Sequence, residues 1–283
     1  MTWTFTDSLP DFRAATAEFL TATRAENTVL LTLVHNLAHG SWVGGDPELP
    51  PRFGWWSAQP GGAAGAAWIQ TRPQPLRLSG MPAAVAAELA RALPAAARAE
   101  ITSVGGPDTA VTGFAEAWTA RFGHTAAVRE NLRLYRLGEL EVPEVPGRAR
   151  AAGPEDFELL VRWWREFAAE VGATIRNVEG LVRVRLETGD VRLWEDGGRP
   201  VSLAAASAVV AGMVRVAPVY TPAAERGHGY GSAATAAVSA RAALRGAEEV
   251  LLYTDLANPV SNSIYQKLGY RPLHDNLVME FQE

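Results

Sequence analysis

Cysteine is absent from the 283 residues, which removes disulfides, thiolate metal sites and a cysteine nucleophile from the chemistry to be considered. Lysine is nearly absent as well. Lys267 stands alone, so no glycine-rich loop is followed by the lysine and hydroxyl pair that cradles a nucleoside triphosphate. No run of about 18 uninterrupted apolar residues is available to span a bilayer, so no membrane partner is expected. Met1 to Asp7 lacks a basic segment followed by an apolar stretch, and a cytoplasmic location is therefore expected. A surplus of one charge sign is also missing. The net charge is −5 without a long basic run, which argues against nucleic acid or an anionic membrane as the main partner.

What is present is enough chain for two units, since single domains usually run to roughly 100–200 residues. Prolines and glycines crowd the stretch from Leu140 to Pro154, where they remove helix and ladder options. That places a boundary near Pro146 and gives an N-terminal domain of 1–146 and a C-terminal domain of 147–283. In the first, apolar spacing predicts helices over 11–24 and 28–38, strands over 52–58 and 63–71, and a helix from Pro82 to about Leu93. A short strand at 101–104, a helix over 112–122 stopped by Gly123, and a strand over 128–137 follow. In the second, Phe157, Leu160, Val161, Trp164 and Phe167 form the stripe of an amphipathic helix over 156–171, and 181–187 reads as another. Strands are predicted over 191–195, 201–210 and 212–221, with Asp196-Gly197-Gly198 as a hairpin turn. Then come a helix from about Gly229 to Leu244, a strand at 250–254, a helix over 259–268 capped by Gly269, and a strand pair over 270–281. The fold class is α/β (α+β), a mixed, mostly antiparallel sheet flanked by helices in each half.

The segment carrying most chemistry is Arg226-Gly227-His228-Gly229-Tyr230-Gly231-Ser232. Alternating glycines leave backbone N–H groups open at a helix N-terminus, where they and the helix dipole favour a phosphate or pyrophosphate, and Arg226 adds a planar donor. A flexible turn is the plain competing reading. A dinucleotide site has Gly229, Gly231, Ala234 and Asp255 in its favour. Against it stand the loop's late position and the residues Pro222 to Arg226 between strand and glycines.

Arg226, Gly229 and Gly231 resemble the signature loop of the GNAT superfamily of N-acetyltransferases. A second match lies downstream, where Asn258, Ser261, Tyr265, Gly269 and Tyr270 fall at the spacing of that family's later segment. Two matches in the right order, with a helix and a strand between them, are more specific than either alone. The resemblance covers roughly 147–283 and is sharpest over 213–270.

The resemblance implies acetyl-CoA as acyl donor and an amine-bearing acceptor, a small molecule or a peptide. Val219, Tyr220 and Thr221 would hold pantetheine like an added strand, and Gly227, His228, Gly229, Tyr230, Gly231 and Ser232 with Arg226 would hold pyrophosphate. An amine attacking a thioester develops an oxyanion, which needs a fixed donor such as a strand N–H near Val219, and a leaving thiolate, which needs a proton source. Tyr265 is the candidate for the latter, against a plain role packing between helix and sheet. Asn258 and Ser261 are candidate cofactor contacts, and Asn258 before Pro259 is equally a helix cap. Glu166, Glu170, Glu195 and His228 are open candidates for the base. A non-catalytic acyl-CoA-binding or regulatory module is the alternative function.

His35 and His39 share a helical face as metal ligands would, but the intervening residues lack a glutamate and no third ligand is evident, so no metal is expected. Trp55, Trp56, Trp163 and Trp164 read as core or groove wall. The N-terminal half repeats the predicted element order but has Arg77-Leu78-Ser79-Gly80-Met81 where the glycine loop would fall. It reads as a degenerate copy that has lost cofactor binding, with a tandem arrangement implied by resemblance.

Overall fold

The protein is represented by a computed structural model that describes residues 2–40, 46, 48–173, 175–188 and 191–282. Its first half runs β1 (Thr2–Thr6), α1 (Leu9–Ala22), α2 (Thr28–Ala38), β2 (Arg52–Ser57), β3 (Ala64–Gln70), β4 (Leu76–Leu78), α3 (Ala83–Ala92), β5 (Ser103–Pro107), α4 (Asp108–Phe122) and β6 (Thr125–Leu137). The second runs β7 (Arg148–Ala151), α5 (Phe157–Glu170), α6 (Val178–Thr188), β8 (Val191–Asp196), β9 (Arg199–Ala206), β10 (Met213–Tyr220), α7 (Tyr230–Leu244), β11 (Glu249–Asp255), α8 (Pro259–Lys267) and β12 (Tyr270–Gln282). Short 3₁₀ turns aside, each half spells strand, two helices, three strands, helix, strand, helix, strand.

The chain packs as two compact units, Met1–Arg133 with His274–Glu283, and Leu134–Leu273. The division passes through β6 and β12, and the proline-rich stretch around Pro146 lies inside the second unit. The reason is apolar: Tyr135 is wholly buried in that unit's core with Leu137 and Leu140 against it, so the end of β6 and the residues after it are held there.

In the first unit β1, β2, β3 and β4 pair antiparallel in succession, β4 pairs parallel with β5, and β5 pairs antiparallel with β12 from Asn276↔Pro107 to Glu280↔Ser103. The last residues of the chain thus complete the sheet of the first unit. In the second unit β7, β8, β9 and β10 are antiparallel, β10 is parallel to β11, and β6 lies beside β11. The sixth strands are exchanged, with β12 beside β5 and β6 beside β11.

Local sequence accounts for the elements that build the site. On α5, Leu160, Val161, Trp163 and Trp164 are buried, and full burial of such side chains contributes roughly 1.5–3 kcal/mol each. The alanine-rich α7 buries Ala233, Ala234, Ala236 and Ala242 against the sheet. Its buried hydroxyls are satisfied along the helix, Thr235 Oγ1 donating to Gly231 O at 2.8 Å and Ser239 Oγ to Thr235 O at 2.7 Å. The turn between β8 and β9 is Gly197-Gly198, both at positive φ, as a two-residue hairpin of this hand requires.

Several predicted elements shift. The expected strand pair over 270–281 is one strand, because no glycine or proline turn interrupts Leu273 to Phe281. Arg148–Ala151, placed within a stretch thought closed to ladders, forms β7, an edge strand that needs a partner on one side only. β1 and β4 are additional strands of five and three residues, too short for their periodicity to register. The β9 strand stops at Ala206, and α4 begins one turn early at Asp108.

Candidate active site

The parallel pairing of β10 with β11 runs from Met213↔Glu249 to Val216↔Leu252 and then ends. Both strands continue past it, β10 to Tyr220 and β11 to Asp255, so their ends part. On its other side β10 remains paired, with Val219↔Ala204 and Tyr220↔Leu203 after a bulge between Val216 and Val219. Val219, Tyr220 and Thr221 are therefore anchored along one edge. Ser202 reinforces that anchor, its Oγ donating to Tyr220 O at 3.0 Å and lying 2.9 Å from Thr221 Oγ1.

The chain then turns through Pro222 to Arg226 into the glycine loop. Gly227 and Gly229 hold φ of 85° and 80°, which a residue with a Cβ adopts at a cost. Gly229 is the N-cap of α7 and offers no side chain to the helix end, so the first N–H groups of α7 have no side-chain cap. A Cβ on Gly231 would stand 3.1 Å from Thr221 Oγ1, so the third glycine keeps the helix start close to the end of β10. The exposed His228 stacks on Tyr230 with ring centroids 5.4 Å apart. The Tyr230 phenol donates to Asp196 Oδ2 at 2.5 Å, which together with burial and the aspartate's charge raises its pKa. Ser232 follows in the first turn of α7. A glycine loop at a helix start without a side-chain cap, with a guanidinium beside it, fits a pyrophosphate.

Charged groups on α5 face this end of β10. Tyr220 donates its hydroxyl to Glu166 Oε2 at 2.9 Å, and burial, that hydrogen bond and the nearby glutamates push its phenol up to about 12. Arg226 Nη2 donates to both carboxylate oxygens of Glu170, at 2.6 and 2.7 Å, and its Nε to Thr221 O at 2.9 Å. Glu195 is committed elsewhere. It accepts from Arg150 Nε at 2.5 Å, and Arg150 also grips Asp156 through two bonds of 2.6 and 2.8 Å. Hydrogen bonding from Arg150 holds both carboxyls below their usual range, with the Gly153 N–H also favouring the Asp156 carboxylate. Among the four candidate bases, Glu166 is the half-buried carboxylate oriented by a phenol rather than neutralised by arginine.

On α8, Asn258 is the N-cap, its Oδ1 accepting the Ser261 N–H at 3.0 Å. Tyr265 is half-buried beside Ile264 against the unit's core and edge-on to Tyr270 at 6.0 Å. Burial alone pushes its phenol up to about 12. Gly269, read from the sequence as a helix stop, has a second role: a Cβ there would fall 1.8 Å from Glu139 O. The stretch after β6 runs past it, with Gly138 N–H on Gly269 O at 3.0 Å and Glu141 N–H on Leu268 O at 3.1 Å, and reaches α7, where Val145 Cγ2 lies 3.0 Å from the Cβ position of Gly229. Sequence reading treated this stretch only as a linker. Leu140, packed against the core, was the available signal.

The corresponding place in the first unit is closed. A Cβ on Gly106, at the end of β5, would lie 2.6 Å from Leu78 O, and one on Gly113 of α4 would lie 2.5 Å from Ala83 O at the start of α3. Strand ends and helices there meet backbone to backbone. His35 and His39 stack at 4.2 Å, with His39 Nδ1 2.7 Å from His35 O. Among the described residues, no group of three histidine, aspartate or glutamate side chains is arranged to hold a metal, and no helix is long and apolar enough to cross a membrane.

The strands β10 and β11 part, a glycine loop follows at the start of α7, and a capped helix follows β11. Residues 157–270, within the second unit, match the Acetyltransferase (GNAT) family. The fold of the whole chain is similar to that of a GNAT-family acetyltransferase from Colwellia psychrerythraea, at 11% identity over 100% of both chains with a TM-score of 0.61. It is also similar to a Drosophila protein at 13% identity over 97% of both chains, TM-score 0.70. A GCN5-related N-acetyltransferase from Sphaerobacter thermophilus matches at 18% identity over 88% of this chain and 85% of its own, TM-score 0.61. No curated protein matches the sequence significantly.

Proposed function

We propose that the second unit transfers an acetyl group from acetyl-CoA to a primary amine by direct attack of the amine on the thioester. The observation that carries this reading is the parting of β10 and β11 after Val216 and Leu252, immediately before the glycine loop that opens α7. Val219 to Thr221 bind pantetheine along the freed edge of β10. Gly227 to Ser232 and Arg226 bind pyrophosphate, and Asn258 and Ser261 border the donor at the start of α8.

Glu166 accepts the proton that the amine sheds as its nitrogen bonds to the carbonyl carbon, and a strand N–H near Val219 stabilises the oxyanion. The carbon–sulfur bond then breaks. Tyr265, held protonated by burial, donates a hydrogen bond to the departing thiolate. A phenol at about 12 stays protonated beside a thiol of about 8.5, so Tyr265 stabilises the sulfur while the proton shed to Glu166 reaches the thiolate through solvent and restores the carboxylate. The first unit, closed at Leu78–Gly106 and Ala83–Gly113, is a degenerate copy in a tandem arrangement and holds no donor.

Calorimetry with acetyl-CoA tests the site. The reading expects binding by the wild type and its loss in Gly229→Asp; equal affinity in the variant would remove the loop from the site. A panel of amines, followed by thiol release, tests turnover. Donor binding without acceptor-dependent release would identify a binding module instead.

A further inference from the structure

The signature arginine is already engaged. Arg226 Nη2 is shared between both oxygens of Glu170 and its Nε is held by Thr221 O. A guanidinium binds a phosphate best through two parallel N–H groups on one edge. Both edges that include Nη2 are blocked by the carboxylate, which leaves Nη1 for a monodentate contact. Glu170 comes from α5, outside the loop, so the engagement links the loop to the helix that also carries Glu166. The pair is solvent-exposed, with side-chain exposures of 48% and 45%. Exposed pairs are worth little, so a doubly charged pyrophosphate can displace the carboxylate.

Resting on the function proposed above, we infer that Glu170 is an internal competitor for the donor's pyrophosphate: its carboxylate occupies Arg226 in the empty site and is displaced when the donor binds. Glu170 thereby sets donor affinity without touching the reacting atoms, and it is a positioning residue for Arg226. Release frees the charge of a second carboxylate one helical turn from Glu166, which favours an acceptor that arrives as a cation.

The test is a calorimetric double-mutant cycle with CoA, comparing wild type, Glu170→Gln, Arg226→Ala and the double variant, with thermal melts to verify that each is folded. Glu170→Gln is expected to tighten CoA binding about two- to five-fold, the scale of an exposed ion pair. In the Arg226→Ala background the same change is expected to have no effect, because nothing remains to be released. Unchanged or weaker binding by Glu170→Gln overturns the inference. So does an equal gain in both backgrounds, which would mark a general repulsion between Glu170 and phosphate. A wild type that binds no CoA removes the donor site itself, an outcome distinct from a failure of Glu170.

Discussion

A chain ending at Leu273 should lose its first unit, even though the deleted residues lie at the far end of the sequence. Residues 274–282 lie beside β5 through a register of five pairs, and their side chains divide between the two faces of the strand. Leu277, Met279 and Phe281 are partly buried against the core that holds Trp118, Phe114 and Val104, while Val278 is 1% exposed on the opposite face. With full burial of such side chains worth roughly 1.5–3 kcal/mol each, one full and three partial burials amount to roughly 4–8 kcal/mol. Whole domains are stable by only about 5–15 kcal/mol. The deletion also exposes the ladder groups of β5 and cuts the Arg133–Asp275 and Arg129–Glu280 pairs. Limited proteolysis followed by mass spectrometry is the direct assay. Cleavage of the truncated chain should concentrate in residues 1–133, with loss of the near-ultraviolet signal of Trp68 and Trp118. Protection of that region equal to the full-length chain would refute the strand exchange as a source of stability.

Tyr265→Phe removes one hydroxyl from a half-buried ring and should lower turnover about 10- to 100-fold with donor affinity nearly unchanged, the range for losing one hydrogen bond of roughly 1.5–3 kcal/mol to a charged group; equal rates would confine Tyr265 to packing. Acid should destabilise the second unit by a predictable sign: Asp156 and Glu195 are held below their unfolded values by Arg150, so their contribution is present above about pH 4 and is lost as pH falls through the folded values. Melting temperature measured from pH 7 to pH 3 should drop on the acid side, and Asp156→Asn should start lower and drop less; parallel curves would contradict the role of Arg150. Calorimetric titration of the full chain with CoA should give one site per chain, and a second site would contradict the closure at Gly106 and Gly113.

The second half was far more legible than the first, for physical reasons. Its helix α5 carries a wide apolar stripe, its hairpin has two adjacent glycines, and its loop alternates glycines, so each feature is written in consecutive residues. The partners of Arg226 and Tyr220 were not readable. Glu170 and Glu166 lie more than fifty positions away, and pairings between distant elements leave no periodicity. The exchange of β6 and β12 was hidden for the same reason: an alternating strand declares which face is apolar, never which neighbour it joins. Gly269 served as a helix stop in the sequence, whereas its φ of 96° and the nearness of Glu139 O show that it also lets the chain after β6 pass.

Gly106 and Gly113 give the same residue type the opposite use. In the second unit Gly227 and Gly229 hold positive φ in a loop with space around Gly227 and no side-chain cap on the helix that follows, and β10 leaves β11 after four paired residues. In the first, the glycines are spent on closure: the Leu78 carbonyl fills the place of a Gly106 side chain, and Ala83 backbone fills that of Gly113. A glycine that lets two backbones meet makes a packed seam, and one that keeps them apart makes a binding edge. Reopening the first unit would require breaking both a strand contact and a helix contact, each in close-packed surroundings where small shifts are costly. The closure there is therefore built into the core of the unit, and substitutions at Ser79 or Gly80 alone would leave it closed.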